Sequence, residues 1–412
     1  MKGLIIAVKK HYEDIEKDLN ELKILCENID IEVENIITQN KEKPDKTYYI
    51  GSGKISEIKD FTKAYDTDIV VFYNNISNSQ KRNIEKEIKT EIIDRNEVIL
   101  EIFRKNARTK DSKLKVELAQ LQYELPKLIG KGKDMSNTGA GIGTLGPGET
   151  KLETDRRRIY DRINFLKKQI KEVDKNHETS SKKRENGDYP LISIVGYTSA
   201  GKSTFLKNIS KDEKIYTSEN LFSTLSPSLR KVSFPCGFTG IFSDTVGFIK
   251  NLPKNLFDSF KSTLKEVIKS DLIVHIVDIS DEVYEKKIKA VNSILEEIEV
   301  KNIPLLLVFN KIDKISEEKL NEMKILYPNA FFISSIKENS TREFLLKLES
   351  NLDIIEDISI EKIKINFKDM WKLYEFSDKY GILEEKDEFN YSIKRLVAKN
   401  YILNSLKKKL EE

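Results

Sequence analysis

Gly196-Tyr197-Thr198-Ser199-Ala200-Gly201-Lys202-Ser203 fits the pattern G-x-x-x-x-G-K-S without a gap. An apolar run of strand length, Leu191–Val195, leads into it, and a helical stretch, Thr204–Ile209, follows. A strand, a glycine-containing loop and a helix start form a cradle for phosphate, because exposed backbone N–H groups and the helix N-terminus all face an anion. Residues Gly196 to Thr204 are the expected phosphate contacts. Lys202 would reach the β- and γ-phosphates, and the Ser203 hydroxyl would hold Mg²⁺.

Further strings follow in a fixed order. Asp244-Thr245-Val246-Gly247 ends a predicted strand. There Asp244 can hold Mg²⁺ through water, and the Gly247 N–H can meet a γ-phosphate. Asn310-Lys311-Ile312-Asp313 ends another strand. The Asp313 carboxylate can accept from guanine N1–H and the exocyclic amine, a donor pair adenine lacks. Asn310 can brace the loop, and the Lys311 stem would lie over the base. Ser334, Ser335 and Ile336 follow the next strand and would offer N–H groups to guanine O6. Together these strings specify GTP and its hydrolysis. The expected metal set is Ser203, Thr224 and Asp244. The expected catalytic set is Lys202, Thr224 and Gly247.

Thr224 lies in Leu221–Pro227, where its hydroxyl and N–H could close on Mg²⁺ and γ-phosphate and let go after hydrolysis. Thr217 and Thr204 are rivals, but Thr204 sits on the first helix and reads as structural. Phe248 stands where many GTPases carry a Gln that orients the attacking water. Slow intrinsic hydrolysis, stimulated by a partner, is therefore expected.

Two look-alikes lack their context. Gly141–Gly146 fits G-x-G-x-x-G but follows no strand. Gly51-Ser52-Gly53-Lys54 lacks the four-residue spacer of a phosphate loop. His275 falls inside an apolar strand and reads as core. Cys26 and Cys236 are far apart in sequence and form no C-x-x-C.

These groups need elements to hold them, and the chain's texture divides accordingly. Residues 1–97 alternate strands and helices, as a small α/β domain does. Strands are expected at Leu4–Val8, Ile31–Ile36, Ile69–Phe72 and Glu91–Ile93. Residues 98–176 carry two heptad-like apolar series, Leu100 to Leu128 and Leu152 to Val173, which predict an antiparallel helical hairpin. Its tip, 129–150, holds seven of the chain's 17 glycines. Residues 177–188 read as a linker. Residues 189–352 alternate strictly, predicting a mostly parallel, doubly wound sheet. Residues 353–412 read as a small lysine-rich C-terminal domain, with a strand at Ile363–Phe367 and a helix over Ser392–Leu410.

Lys+Arg 71 nearly balances Asp+Glu 68, so bulk charge alone does not point to nucleic acid. The hairpin differs locally: Arg156, Arg157, Arg158, Arg162, Lys167, Lys168 and Lys171 crowd its second helix, beside Lys131 and Lys133 at the tip. This favours contact with an RNA backbone. No window approaches the ~20 apolar residues of a membrane span, so the expected setting is cytoplasmic. The residues leave two other classes open: a signalling or scaffold switch with a coiled-coil docking arm, and a nucleotide-driven RNA remodeller.

GYTSAGKST, FSTLSP, DTVGFI and NKID resemble the GTPase domain of the HflX family. YIGSGK, DRNEVILEIF, KVELAQLQYELPKL and GPGETKLETDRRR resemble its upstream region, so the likeness spans about residues 1–352. The resemblance implies a ribosome-associated GTPase that binds the large (50S) subunit and splits stalled ribosomes under stress. It also implies that the tip loop contacts rRNA in the peptidyl transferase region. The family's nucleotide positions fall on Gly196, Gly201, Lys202, Ser203, Thr224, Asp244, Gly247, Asn310 and Asp313. Phe248 matches the family's apolar replacement of Gln. Similar GTPases often carry an Asn that can hold K⁺ near the phosphates; Ser199 departs from that pattern. The expected form is a monomer.

Overall fold

The first strand, β1 (Lys2–Lys9), is apolar and buried along nearly its whole length. Such a strand has to be covered on both faces, the condition of a parallel sheet flanked by helices. α1 (Glu16–Glu27), β2 (Glu32–Asn40), α2 (Ser52–Ala64), β3 (Ile69–Phe72), α3 (Asn78–Ile88) and β4 (Glu91–Asp94) follow. The strands pair in the order β2-β1-β3-β4, all parallel. Leu4, Ile6, Val70 and Phe72 pack with Ile55 and Ile58 of α2 and Ile84 and Ile88 of α3. Capping boxes start two helices: Ser77 with Gln80 opens α3, and Asp94 with Glu97 opens α4 (Arg95–Asn106). Each satisfies N–H groups that a helix start leaves orphaned.

The computed structural model describes residues 1–135, 147–185, 187–211, 228–245, 247–249, 257, 259, 264, 266–377 and 379–411, with backbone only at 127–135, 147–152 and 176–185. Within these, residues form two compact units: Met1–Val173 with Leu252–Ser259, and Asp174–Asn251 with Phe260–Glu412.

The hairpin consists of α5 (Lys110–Met135) and α6 (Pro147–Glu185). Leu114, Leu118, Leu121 and Leu125 meet Ile159, Ile163, Leu166 and Ile170. Arg162 adds a two-pronged ion pair to Glu117, at 2.7 and 3.0 Å. Three boundaries differ from expectation, the first being that residues 129–135 and 147–150, expected in the tip loop, are helical. Leu100 and Phe103 belong to α4, because the chain leaves the helix at Ala107 and restarts under a reciprocal Thr109–Ser112 cap. Residues 177–185, expected as linker, continue α6. Lys, Glu and Ser are compatible with helix; a lack of apolar residues removes only the buried face.

The second unit opens with β5 (Leu191–Gly196), α7 (Lys202–Ser210), β6 (Ser228–Ser233), β7 (Thr239–Asp244) and β8 (Leu272–Asp278). It continues with α8 (Tyr284–Glu297), β9 (Leu305–Asn310), α9 (Glu317–Leu326), β10 (Phe331–Phe332) and α10 (Glu338–Glu349). Strand order is β10-β9-β8-β5-β7-β6, parallel except for β6. From β5 the chain proceeds to one side through β7, then returns to the other through β8, β9 and β10. The loop after β5 therefore sits at the topological switch point, where open α/β sheets leave a crevice for ligands.

The C-terminal residues build a small sheet of their own. β11 (Ile358–Asn366), a 3₁₀ helix (Phe367–Phe376), β12 (Tyr380–Asp387), β13 (Tyr391–Lys399) and α11 (Asn400–Glu411) form an antiparallel sheet, order β11-β13-β12, with a helix on one face. The helix expected over Ser392–Leu410 is thus strand to Lys399 and helix only from Asn400. Ser392, Lys394, Leu396 and Ala398 alternate on one face, and β13 is flanked on both sides, so pairing overrides the helical reading. Ile355, Ile358 and Val397 complete the core of the preceding sheet. Gly381 lies so close to the 236–238 turn that a Cβ there would stand 2.5 Å from Cys236 Sγ.

Candidate nucleotide-binding site

Burial of β5 on both faces fixes where the phosphate loop begins. Gly196 (φ 154°) runs so near β8 that a Cβ would lie 2.3 Å from the Ile276 carbonyl oxygen. Only glycine fits there. Ser199 (φ 59°) and Gly201 (φ 94°) take left-handed conformations, and Gly201 caps α7. These turns bring the chain to the start of a nine-residue helix whose free N–H groups favour an anion.

Lys202 is buried, and its Nζ donates to the Tyr197 carbonyl at 2.9 Å. Desolvation lowers its pKa to about 8, with Asp244 acting in the opposite direction. Ser203 Oγ donates to Asp244 Oδ2 at 2.8 Å, joining the helix start to the end of β7. Thr204 is half-buried in the first turn of α7, in keeping with a structural role. Thr198 and Ala200 are buried in the loop.

The base end is tied to the phosphate end through one side chain. Asn310, at the end of β9, is buried; its Nδ2 donates to the Ala200 carbonyl at 2.7 Å, and its Oδ1 accepts the Ser335 N–H at 2.9 Å. Lys311 (φ 65°) pairs with Asp278 at 2.6 Å. Asp313 is exposed, and its carboxylate accepts a hydrogen bond from Ser334 Oγ. The Ser334 N–H donates to Ser340 Oγ at 2.9 Å. Ile336 is exposed. Two of the three N–H groups expected for guanine O6 are thus engaged within the protein.

Three family models match most of the chain between residues 16 and 311. "GTP-binding GTPase N-terminal" matches residues 16–104, "GTP-binding GTPase Middle Region" 106–184, and "50S ribosome-binding GTPase" 191–311. A GTPase HflX of Caldanaerobacter subterraneus is 42% identical over 312 residues, 76% of this chain and 72% of the relative. A GTPase HflX of Escherichia coli is 38% identical over 321 residues, 77% of this chain and 75% of the relative. The chain belongs to the HflX family of GTPases. Its domain is that of a GTP-binding GTP hydrolase. Among solved structures, a complex of SsGBP with GDP is 24% identical, covers 85% of this chain and 99% of that one, and has a TM-score of 0.50, a likeness of fold.

In this HflX-family chain, Gly247 and Phe248 lie directly on the phosphate loop. The Phe248 N–H donates to the Gly196 carbonyl at 3.1 Å, and the Thr198 N–H to the Phe248 carbonyl at 2.8 Å. A Cβ on Gly247 would stand 3.0 Å from Thr198 Cγ2 and 3.1 Å from Lys202 Nζ, so a larger residue would have to push these side chains aside. The Phe248 side chain is buried. Thr224 and Val246 lie outside the described residues, as do residues 136–146 of the tip loop.

A hydroxyl and a carboxylate in mutual contact, Ser203 and Asp244, suit a hard cation that takes oxygen ligands and keeps waters and substrate phosphates as the rest of its shell. Among the described residues no cluster of three His, Cys, Asp or Glu side chains exists that could hold a metal ion. His275 is buried, and desolvation lowers its pKa to about 4; it is a neutral core residue.

Several HflX site residues escape motif reading. Asp278 fixes Lys311, Ser340 takes the Ser334 N–H, and Asn208 donates to the Ser335 carbonyl. Lys287 of α8 lies over the Tyr197 ring, 4.7 Å from its centroid. Asp278 had one signal, as a carboxylate ending a strand beside the switch point; the others had none.

Proposed function

We propose that GTP binding toggles this GTPase on the large ribosomal subunit, and that the cycle dissociates stalled ribosomes. The observation that carries this reading is the exposed basic face of α6. Arg156, Arg157, Arg158, Arg162, Lys167, Lys168 and Lys171 are all exposed there. Tyr160 and Phe165 are 41% and 49% exposed, each beneath a guanidinium, Arg156 at 5.5 Å and Arg162 at 5.3 Å. Guanidinium groups on exposed rings suit phosphate and stacked bases together. The match of residues 191–311 to the "50S ribosome-binding GTPase" model supports the same partner.

Within the site, Asp313 selects guanine and Lys202 neutralises the β- and γ-phosphates. Ser203, Asp244 and Thr224 would hold Mg²⁺, which supplies charge neutralisation on the transferred phosphoryl group. The Gly247 N–H meets the γ-phosphate after the 247–248 segment lifts from the loop. Phe248 offers no hydrogen bond to water, so the ribosome has to complete water positioning. Adding 50S subunits to purified protein tests the reading: GTP turnover rises and co-sedimentation depends on GTP. Turnover indifferent to 50S subunits, without GTP-dependent co-sedimentation, rejects it. Deleting 129–150 should abolish splitting with GTP binding retained; a scaffold switch would keep its partner.

A further inference from the structure

We propose that the solvent-facing half of the C-terminal sheet is a second contact surface, one for single-stranded RNA. The register places its groups on one face. Lys362 opposes Arg395, Lys364 opposes Ile393, and Asn366 opposes Tyr391. On the other side of β13, Lys386 opposes Ile393 and Glu384 opposes Arg395. Directly opposed residues of antiparallel strands share a face. Four cations and two carboxylates, Glu384 and Glu388, therefore stand together around Tyr391.

The rest of the sheet is committed elsewhere. Ile363, Ile365, Leu396 and Ala398 on the reverse face are covered by α11 and the 3₁₀ helix. At the other end of the same face, Ile358, Ile360 and Val397 pack into the GTPase core. Only the far half of this face meets water.

Two of the four cations there are compensated and two are not. Glu384 pairs with Arg395 and Glu388 with Lys386. Glu361 is taken by Lys407 and Asp369 by Lys372. Asp387 opposes Ser392 and so belongs to the reverse face. Lys362 and Lys364 are exposed and, among the described residues, have no carboxylate partner. Lys364 Nζ lies 3.7 Å from the Tyr391 ring centroid, and Phe389, in the turn between β12 and β13, is 96% exposed. A ring that open contributes almost nothing to the core.

Spare ammonium groups beside an open ring match a strand that offers one phosphate and one π-face per nucleotide. An acidic protein would meet the charge but has nothing regular to stack on Phe389. Nucleic acid follows from the face itself; that it is RNA rests on the ribosome-associated reading above.

The test uses the full chain and fluorescein-labelled 12-nucleotide RNA and DNA, with anisotropy read across a salt series. Replacing both lysines, Lys362→Gln with Lys364→Gln, should flatten the slope of log K against log salt by about 1.4, two phosphates at about 0.7 each. Phe389→Ser should weaken RNA binding roughly tenfold, as losing one stacked base does. GTP affinity stays unchanged in both variants. Equal slope and affinity in all three proteins overturns the proposal. So does displacement of the RNA by polyglutamate at matched charge. Preference for DNA overturns the choice of RNA. Normal RNA binding without 50S-stimulated turnover would instead sink the ribosomal reading and leave this surface standing.

Discussion

The Thr198 N–H donates to the Phe248 carbonyl across 2.8 Å, and a second bond returns from the Phe248 N–H to Gly196. The residue standing in the place of a catalytic glutamine is thus zipped to the loop that cradles phosphate, with its side chain buried. The missing glutamine is therefore a matter of backbone placement as well as side-chain chemistry. Phe248→Gln should not restore fast intrinsic hydrolysis. Single-turnover assays without ribosomes should stay within about tenfold of the wild type, far below the gain a positioned water gives. Phe248→Ala should lower unfolding stability by about 3 kcal/mol through the cavity it leaves, read by denaturant titration.

Lys202 predicts a proton signature. Burial lowers its pKa to about 8 in the nucleotide-free protein, against the ordinary 10.5. Between these values the unfolded chain binds more protons than the folded one, so stability rises with pH through that window. A bound phosphate restores the charged form, so GTP binding near pH 9 takes up a proton, and binding below pH 7 does not. Calorimetry in buffers of different ionisation enthalpy measures this. Lys202→Met should lose the uptake and most of the affinity. Uptake that survives the substitution would assign the proton to another group.

In the proposed reading Asp313 selects the base. Asp313→Asn replaces an acceptor with a donor, so guanine loses its N1–H and amine partners. Xanthine, with a carbonyl in place of the amine, gains one. GTP affinity should fall about 100-fold, roughly what an unpaired charged hydrogen-bond set costs, and xanthosine triphosphate should bind in its place. Competition with labelled nucleotides settles it.

Asn310 joins two loops through two buried bonds. Asn310→Ala leaves the Ala200 carbonyl and the Ser335 N–H unpaired in the interior. The expected loss is about 3 kcal/mol of stability. GDP and GTP should weaken equally, because neither bond depends on the γ-phosphate. A loss confined to GTP would refute this structural role.

Ser199 occupies a left-handed position (φ 59°) that asparagine tolerates well. Ser199→Asn should leave the fold intact and introduce K⁺-over-Na⁺ stimulation of turnover, since an amide oxygen is a better ligand for a large monovalent ion. Identical rates in the two salts would show that this loop cannot build the ion site.

The amino-acid sequence by itself determined the nucleotide chemistry. Lys202, Ser203, Asp244, Asn310 and Asp313 lie at strand ends whose apolar runs are long and unambiguous, so both motif and scaffold are local. Strand–helix alternation implied a mostly parallel sheet, but the switch-point position rests on the strand order, which only pairing decides. The limits of helices and the nature of the C-terminal residues were decided by tertiary structure. Residues 177–185 are polar enough for either helix or linker, and Tyr391–Lys399 is amphipathic enough for either strand or helix, so the neighbours that pair with each segment settle it. The same holds for the braces of the site. Asn310 reaches Ala200 from 110 residues away, and Gly196 is glycine because β8 passes above it. Local periodicity carries no trace of such contacts, because they exist only once distant strands lie side by side.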